Sequence, residues 1–174
     1  MKAVYLLDTN AFFNFIKNAS LPLGENSNIA TEEAVNTIKA GTCYISLISL
    51  VEIISVIGKY ARGGGGANKK RMKPKVVKQW LKLVEDSTSG RSSLLSLSIL
   101  PFSEKTIAEA QKIVHHALLH NFGSLDAIIA ATAKECSSIK NNENTILITS
   151  DKGLKACLTK CEIPFWDAFQ QNCS

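Results

Sequence analysis

A chain of 174 residues with 45% apolar side chains is long enough to bury one substantial core and too apolar to stay disordered. No run approaches the roughly 18 uncharged apolar residues of a membrane span, and only Ala3–Leu7 separate Lys2 from Asp8, too few for the apolar region of a signal peptide. The formal charge of +5 is unevenly spread: Lys59–Lys82 holds nine Lys or Arg and no acid, so the remainder sums to −4. The five cysteines (Cys43, Cys136, Cys157, Cys161, Cys173) form no CxxC pair and no zinc spacing with His115, His116 or His120. They read as reduced thiols of a cytoplasmic protein with no membrane association, and the histidines as surface or helix-end residues.

Ala3–Leu7 is an uninterrupted apolar run that ends at Asp8, the pattern of a strand buried on both faces of a parallel sheet. Thr9 and Asn10 lead into a short helix, Ala11–Lys17, and Ser20–Asn28 is a loop punctuated by Pro22, Gly24 and Asn26. Thr31 caps a helix with Glu32 and Glu33 in its first turn, and Gly41 ends it after Ala40. Thr42–Ser46 is a second short strand, followed by an apolar helix over Ser49–Tyr60. Glu52 is the only charged residue between Lys39 and Lys59. A helix apolar almost all round is expected to be buried, so this carboxylate needs a partner, a proton or a cation.

Arg62–Ser98 breaks the alternation. Four glycines, Gly63–Gly66, are too costly in entropy for an element interior, and Ala67–Lys75 reads as a basic loop. Pro74 suits a helix start, with Val76, Val77, Trp80, Leu81 and Val84 at helical spacing. Thr88–Ser93 is a polar loop. A basic segment on an otherwise acidic body suits either a polyanion-binding arm or a solvated insertion.

The alternation then resumes. Leu94–Leu100 is a strand stopped by Pro101, and Ser103 caps a helix with Ile107, Ala110, Val114, Ala117 and Leu118 on its apolar face. After Asn121-Phe122-Gly123, Ser124-Leu125-Asp126 opens another helix. Thr145–Ser150 is a buried strand, Asp151 follows it as Asp8 follows the first, and Ile163–Trp166 suggests a last short strand. The order points to one domain with helices on both faces of a mainly parallel sheet.

Each of Asp8, Glu52, Asp126 and Asp151 has an ordinary explanation as a helix cap or first-turn acid. Taken together they fall at strand C-termini or in first turns, which a parallel α/β sheet gathers at one edge. Four converging carboxylates repel one another and hold shared protons unless a cation intervenes, and with no His or Cys nearby that cation would be hard, Mg²⁺ or Mn²⁺.

LLDTN, ISLISLVEI, FGSLDAIIAATA and ILITSDKGL resemble the successive motifs of PIN-domain ribonucleases, most closely the VapC-type toxins of bacterial and archaeal toxin–antitoxin pairs. The resemblance spans the chain except for the basic, Gly-rich insertion at about residues 62–96. It implies a single PIN-like domain over residues 1–174, a three-layer α/β/α sandwich with a central mainly parallel sheet. It further implies metal-binding, catalytic roles for Asp8, Glu52, Asp126 and Asp151, with Thr9, Asn10 and Ser150 in support. Many members carry a second acid shortly after the fourth; Lys152-Gly153-Leu154 offers none, which leaves a second metal position open.

The activity implied is Mg²⁺- or Mn²⁺-dependent hydrolysis of RNA phosphodiester bonds, with Lys69, Lys70, Arg71 and Lys73 binding flanking phosphates. The implied partners are RNA, an antitoxin protein and a second copy in a homodimer. Two other classes compete. A haloacid-dehalogenase-type phosphatase also begins with an Asp after strand one, but needs a second Asp where Asn10 stands. A non-catalytic RNA- or protein-binding PIN-like domain would keep the motifs without turnover, and a metal-dependent RNase assay separates it from the enzyme.

Overall fold

The computed structural model describes residues 2–20, 28–64, 71–115, 123–139 and 145–171. Five parallel strands form the sheet: β1 (Val4–Leu7), β3 (Thr42–Ser46), β4 (Leu97–Leu100), β5 (Thr145–Ile148) and β6 (Phe165–Trp166). Their order is β4-β3-β1-β5-β6, so β1 lies in the middle. A separate antiparallel pair joins β2 (Asn28–Ala30) to β7 (Phe169–Gln171). Neither of these strands is expected from the sequence, because three residues are too few for an alternating pattern to show.

Alternation along the strands divides the core in two. Tyr5, Leu7, Cys43, Ile45 and Ile148 face one side, under α1 (Thr9–Ser20), α2 (Glu32–Ala40), α3 (Leu47–Arg62) and α4 (Pro74–Thr88). Leu6 and Leu147 face the other, under α5 (Glu104–Val114), α6 (Ser124–Ile139) and α7 (Lys152–Lys160). The α/β/α sandwich expected from the sequence is the fold observed.

Local chemistry sets the helix ends. Thr31 accepts a hydrogen bond from the Ala34 N–H at the start of α2. Gly63 ends α3 at φ 87°, a left-handed conformation that favours glycine, and its N–H bonds to the carbonyls of Lys59 and Tyr60. Ser103 opens α5 in a capping box with Thr106, and Glu135 of α6 accepts from both hydroxyls, fastening the two helices together.

Four sequence expectations change. Helix α3 is not buried all round: Val51 and Ile54 are 61% and 50% exposed, and only Ser49, Ile53 and Ile57 are buried. Apolar periodicity marks a helix but does not say which parts of its surface are covered within one chain. Ile107 and Val114 likewise lie outside, and α5 buries Thr106, Ala110 and Ile113 instead. The fourth strand begins at Leu97 rather than Leu94, and α1 extends over Thr9–Ser20. Ala117, Leu118, His116, His120, Lys69, Lys70 and Cys173 lie outside the described residues; Cys43, Cys136, Cys157 and Cys161 form no disulfide among the described residues.

The basic segment contributes to the core. Trp80 of α4 is fully buried, its indole N–H donating to Ser20 Oγ at 2.7 Å. Its ring meets those of Phe13 and Tyr60 edge-on, with centroids 5.1 and 5.5 Å away. Such pairs add roughly 0.5–1.5 kcal/mol beyond burial. Trp80→Ala is expected to cost about 3–5 kcal/mol in urea-induced unfolding. A loss below about 1 kcal/mol would mean that α4 is an appendage.

Candidate metal centre

Asp8 is the first residue beyond β1, at the C-terminal edge of the sheet, and is 2% exposed. Its N–H continues the ladder to the Ile148 carbonyl. Oδ1 accepts the Ala11 N–H at 2.5 Å, so Asp8 caps α1. Oδ2 accepts the Thr149 hydroxyl at 2.5 Å. Leu7 pairs with Ile148 in the β1–β5 register, which makes Asp8 and Thr149 the next pair along the edge. Thr149 Oγ1 in turn accepts the Asp151 N–H at 3.0 Å. Sequence reasoning missed Thr149, which reads as one more residue of the strand expected over Thr145–Ser150; the available signal was its place opposite Asp8 once the two strands pair in parallel.

Asp126 and Asp151 arrive at helix starts, whereas Glu52, expected in a first turn, lies in the second turn of α3 because that helix begins at Leu47. Ser46 caps α3, accepting the Ser49 N–H at 3.0 Å, and Glu52 stands one turn further, accepting the Thr9 hydroxyl at 2.5 Å. Asp126, in the first turn of α6, accepts the Gly123 N–H at 2.8 Å. Asp151 caps α7, accepting the Leu154 N–H at 2.8 Å. Each of these three bonds engages a single carboxylate oxygen.

Electrostatics ties the four together. Burial pushes the Asp8 carboxyl up to about 7; the hydrogen bonds from Thr149 and Ala11 pull the other way, and the negative charges of Asp151 and Asp126 add to the rise. Asp126 is also raised, by burial first, against the Gly123 hydrogen bond, with the charges of Asp151 and Glu52 adding. Among the described residues, none of the four forms an ion pair with Lys, Arg or His. An uncompensated, all-oxygen acidic cluster fits a hard divalent cation in chemistry. It is not a closed cage: among the described residues no three His, Cys, Asp or Glu side chains stand close enough together to hold an ion as they are.

A pocket of about 540 Å³ opens beside Asp151, and Asn10 and Ser150 line it. Ser150 Oγ is buried without a hydrogen-bond partner among the described residues. Of the expected RNA-binding residues, Arg71 donates from Nε to the Ala61 carbonyl at 3.0 Å and Lys73 precedes α4. Trp80, being buried, offers no face for base stacking.

The sequence profile of the family described as PIN domain matches residues 5–157. The chain belongs to the PIN-domain family. Its fold is similar to that of FitAcB from Neisseria gonorrhoeae, with TM-score 0.58 and 21% identity over 94% of this chain and 97% of that one. It is also similar to VapBC-1 from nontypeable Haemophilus influenzae, with TM-score 0.56 and 17% identity over 95% and 98%. DNA-bound VapBC from Salmonella typhimurium gives 0.55 and 20% over 95% and 98%. No curated protein matches the chain. No helix among the described residues of this PIN domain is long and apolar enough to cross a membrane.

The raised carboxyls set a pH dependence. With Asp8 at about 7 in the fold and near 3.8 when unfolded, the native state binds more protons between those values. Its contribution to stability is fully present below about 4 and is lost as pH rises through about 7; Asp126 acts with the same sign. In chelator, the melting temperature should therefore fall over that window, and Asp8→Asn should flatten the fall and melt above wild type at pH 7. Excess Mg²⁺ should reverse the order, because it stabilises only the intact site, by RT ln(1 + [L]/Kd). A wild type melting above Asp8→Asn in chelator would make Asp8 chiefly a cap.

Proposed function

We propose that this PIN domain is a Mg²⁺- or Mn²⁺-dependent ribonuclease, the VapC-type toxin of a toxin–antitoxin pair. The observation that carries the reading is the proximity of Asp8, Glu52, Asp126 and Asp151 at one sheet edge, where burial and the neighbouring carboxylates raise Asp8 and Asp126 and no lysine, arginine or histidine among the described residues pairs with any of the four. Asp8, Glu52 and Asp126 would hold the ion, and Asp151 would complete the site or take part in a second one. When bound, the ion supplies Lewis-acid polarisation of a phosphoryl oxygen and a lowered pKa for bound water. Thr149 and the Ala11 N–H fix the Asp8 carboxylate, and Thr9 orients Glu52. These contacts hold the Asp8 and Glu52 carboxylates in place, as hydrogen-bonded supports of ligating carboxylates do.

The partners proposed are RNA, an antitoxin and a second copy of the chain. The likeness in fold to FitAcB and VapBC supports the antitoxin. Exposed apolar side chains on α3 (Val51, Ile54) and around α5 (Phe102, Ile107) supply surface that protein partners would cover. A second reading, a non-catalytic PIN-like domain that only binds, is favoured by the open arrangement of the acids.

Asp8→Asn and Asp126→Asn are each expected to abolish Mg²⁺-dependent cleavage of RNA by purified protein while circular dichroism stays native. Undiminished cleavage in both would sink the assignment to this site, and a wild type that binds RNA without cutting it would establish the second reading. Replacing Lys69, Lys70, Arg71 and Lys73 together with Ser should weaken RNA binding. The slope of log K against log salt should fall by roughly 0.7 per lost phosphate contact. An unaltered slope would assign the basic segment to solvent or to a protein partner.

A further inference from the structure

The pocket beside Asp151 contains more than the acidic cluster uses. Its wall is formed by α1 and α3 on one side and the start of α7 on the other, with Asn10, Asn14, Lys17, Tyr60, Ser150 and Lys152 among its lining residues. Lys17 is half-buried, with Nζ 5.1 Å from the Phe13 ring centroid. Among the described residues no carboxylate lies within ion-pair distance of it. This half-buried ammonium has a ring face but, among the described residues, no ion-pair partner, and burial lowers its pKa. Lys152 stands exposed on the same pocket, and the unpartnered Ser150 hydroxyl lies in its lining.

We propose that this pocket is a subsite for the backbone phosphate adjacent to the scissile one in a single-stranded RNA, with Lys17 as its charged ligand and Lys152 and Ser150 in support. The proposal rests on the ribonuclease reading and names a residue that reading leaves unused. The geometry favours this pocket over the larger concavity between α5 and α6, about 700 Å³, whose Lys134 already pairs with Glu109 at 2.7 Å. A phosphodiester chain carries one charge per linkage. With one phosphate at the acidic edge, a cation for its neighbour would replace solvent counterions, and Lys17 lines the same pocket as Asp151.

The test is a linkage scan. A short single-stranded oligoribonucleotide is prepared with one neutral methylphosphonate at each position in turn, and each is titrated in Ca²⁺ to give Kd and cut in Mg²⁺ to give KM and kcat. In the wild type, neutralising one linkage beside the scissile bond should weaken binding about tenfold, the scale of one charge-assisted contact. In Lys17→Gln and in Lys17→Met, which keeps an alkyl stem against Phe13, that linkage should have no further effect, and Lys17→Arg should restore it. Equal sensitivity at that linkage in wild type and both neutral variants would overturn the subsite. The two readings fail separately. Cleavage with a Lys17-independent scan defeats the subsite alone, whereas a Lys17-dependent binding scan without cleavage defeats the hydrolase alone.

Discussion

The structure depends on the burial of Asp8 at the end of the central strand. β1 is paired in parallel on both sides, by β3 and β5, so the residue that follows it emerges between two other strand ends and under α1. A carboxylate there loses its water. It survives because the Ala11 amide and the Thr149 hydroxyl replace part of that hydration, and because it can keep a proton up to about pH 7. The same burial gives a cation something to gain: an ion that neutralises Asp8 removes the desolvation problem the fold creates.

Capping and chemistry are therefore one arrangement here and not rival explanations of the acids. Asp8 and Asp151 cap helices, and Asp126 bonds the amide that precedes its own helix. The free N–H groups and the positive ends of these helices moderate the repulsion among the carboxylates. Thr9, Gly123 and Leu154 each bind one oxygen of an acid and set its direction.

What could be read from the sequence follows from how local each signal is. The strands ending at Leu7 and Ser46, and the caps at Thr31, Ser103 and Asp151, are written in a few adjacent residues and form where expected, while the strand expected over Thr145–Ser150 stops at Ile148. The gathering of Asp8, Glu52, Asp126 and Asp151 is not local, and became legible only through the rule that parallel sheets collect such residues at one edge. Thr149 escaped because its role depends on strand register, which its own neighbours do not encode. The exposure of Val51 and Ile54 escaped because an apolar stripe looks the same whether this chain or another covers it. The burial of Trp80 was hidden by charge: Lys75, Lys78 and Lys82 dominate a helix whose narrow face, Trp80 and Val84, docks inward.

That inward face connects the basic segment to the acidic edge. Trp80 locks against Phe13 and Tyr60, and both of those residues also line the pocket beside Asp151. Phe13 carries the Lys17 ammonium on its ring. One aromatic cluster thus seats α4, forms part of the pocket wall and supports its half-buried cation. Within the basic segment, α4 is held by packing, and Arg71 just before it donates to the Ala61 carbonyl of α3. Helix α4, with Lys75, Lys78 and Lys82, lies on the same side of the sheet as α1 and α3, the two helices that carry Thr9 and Glu52. The lysines of α4 and the ammonium of Lys17 thus belong to helices on one face of the sheet, whereas Asp8 and Asp151 stand just beyond the ends of its strands, so positive and negative charge occupy different parts of the fold.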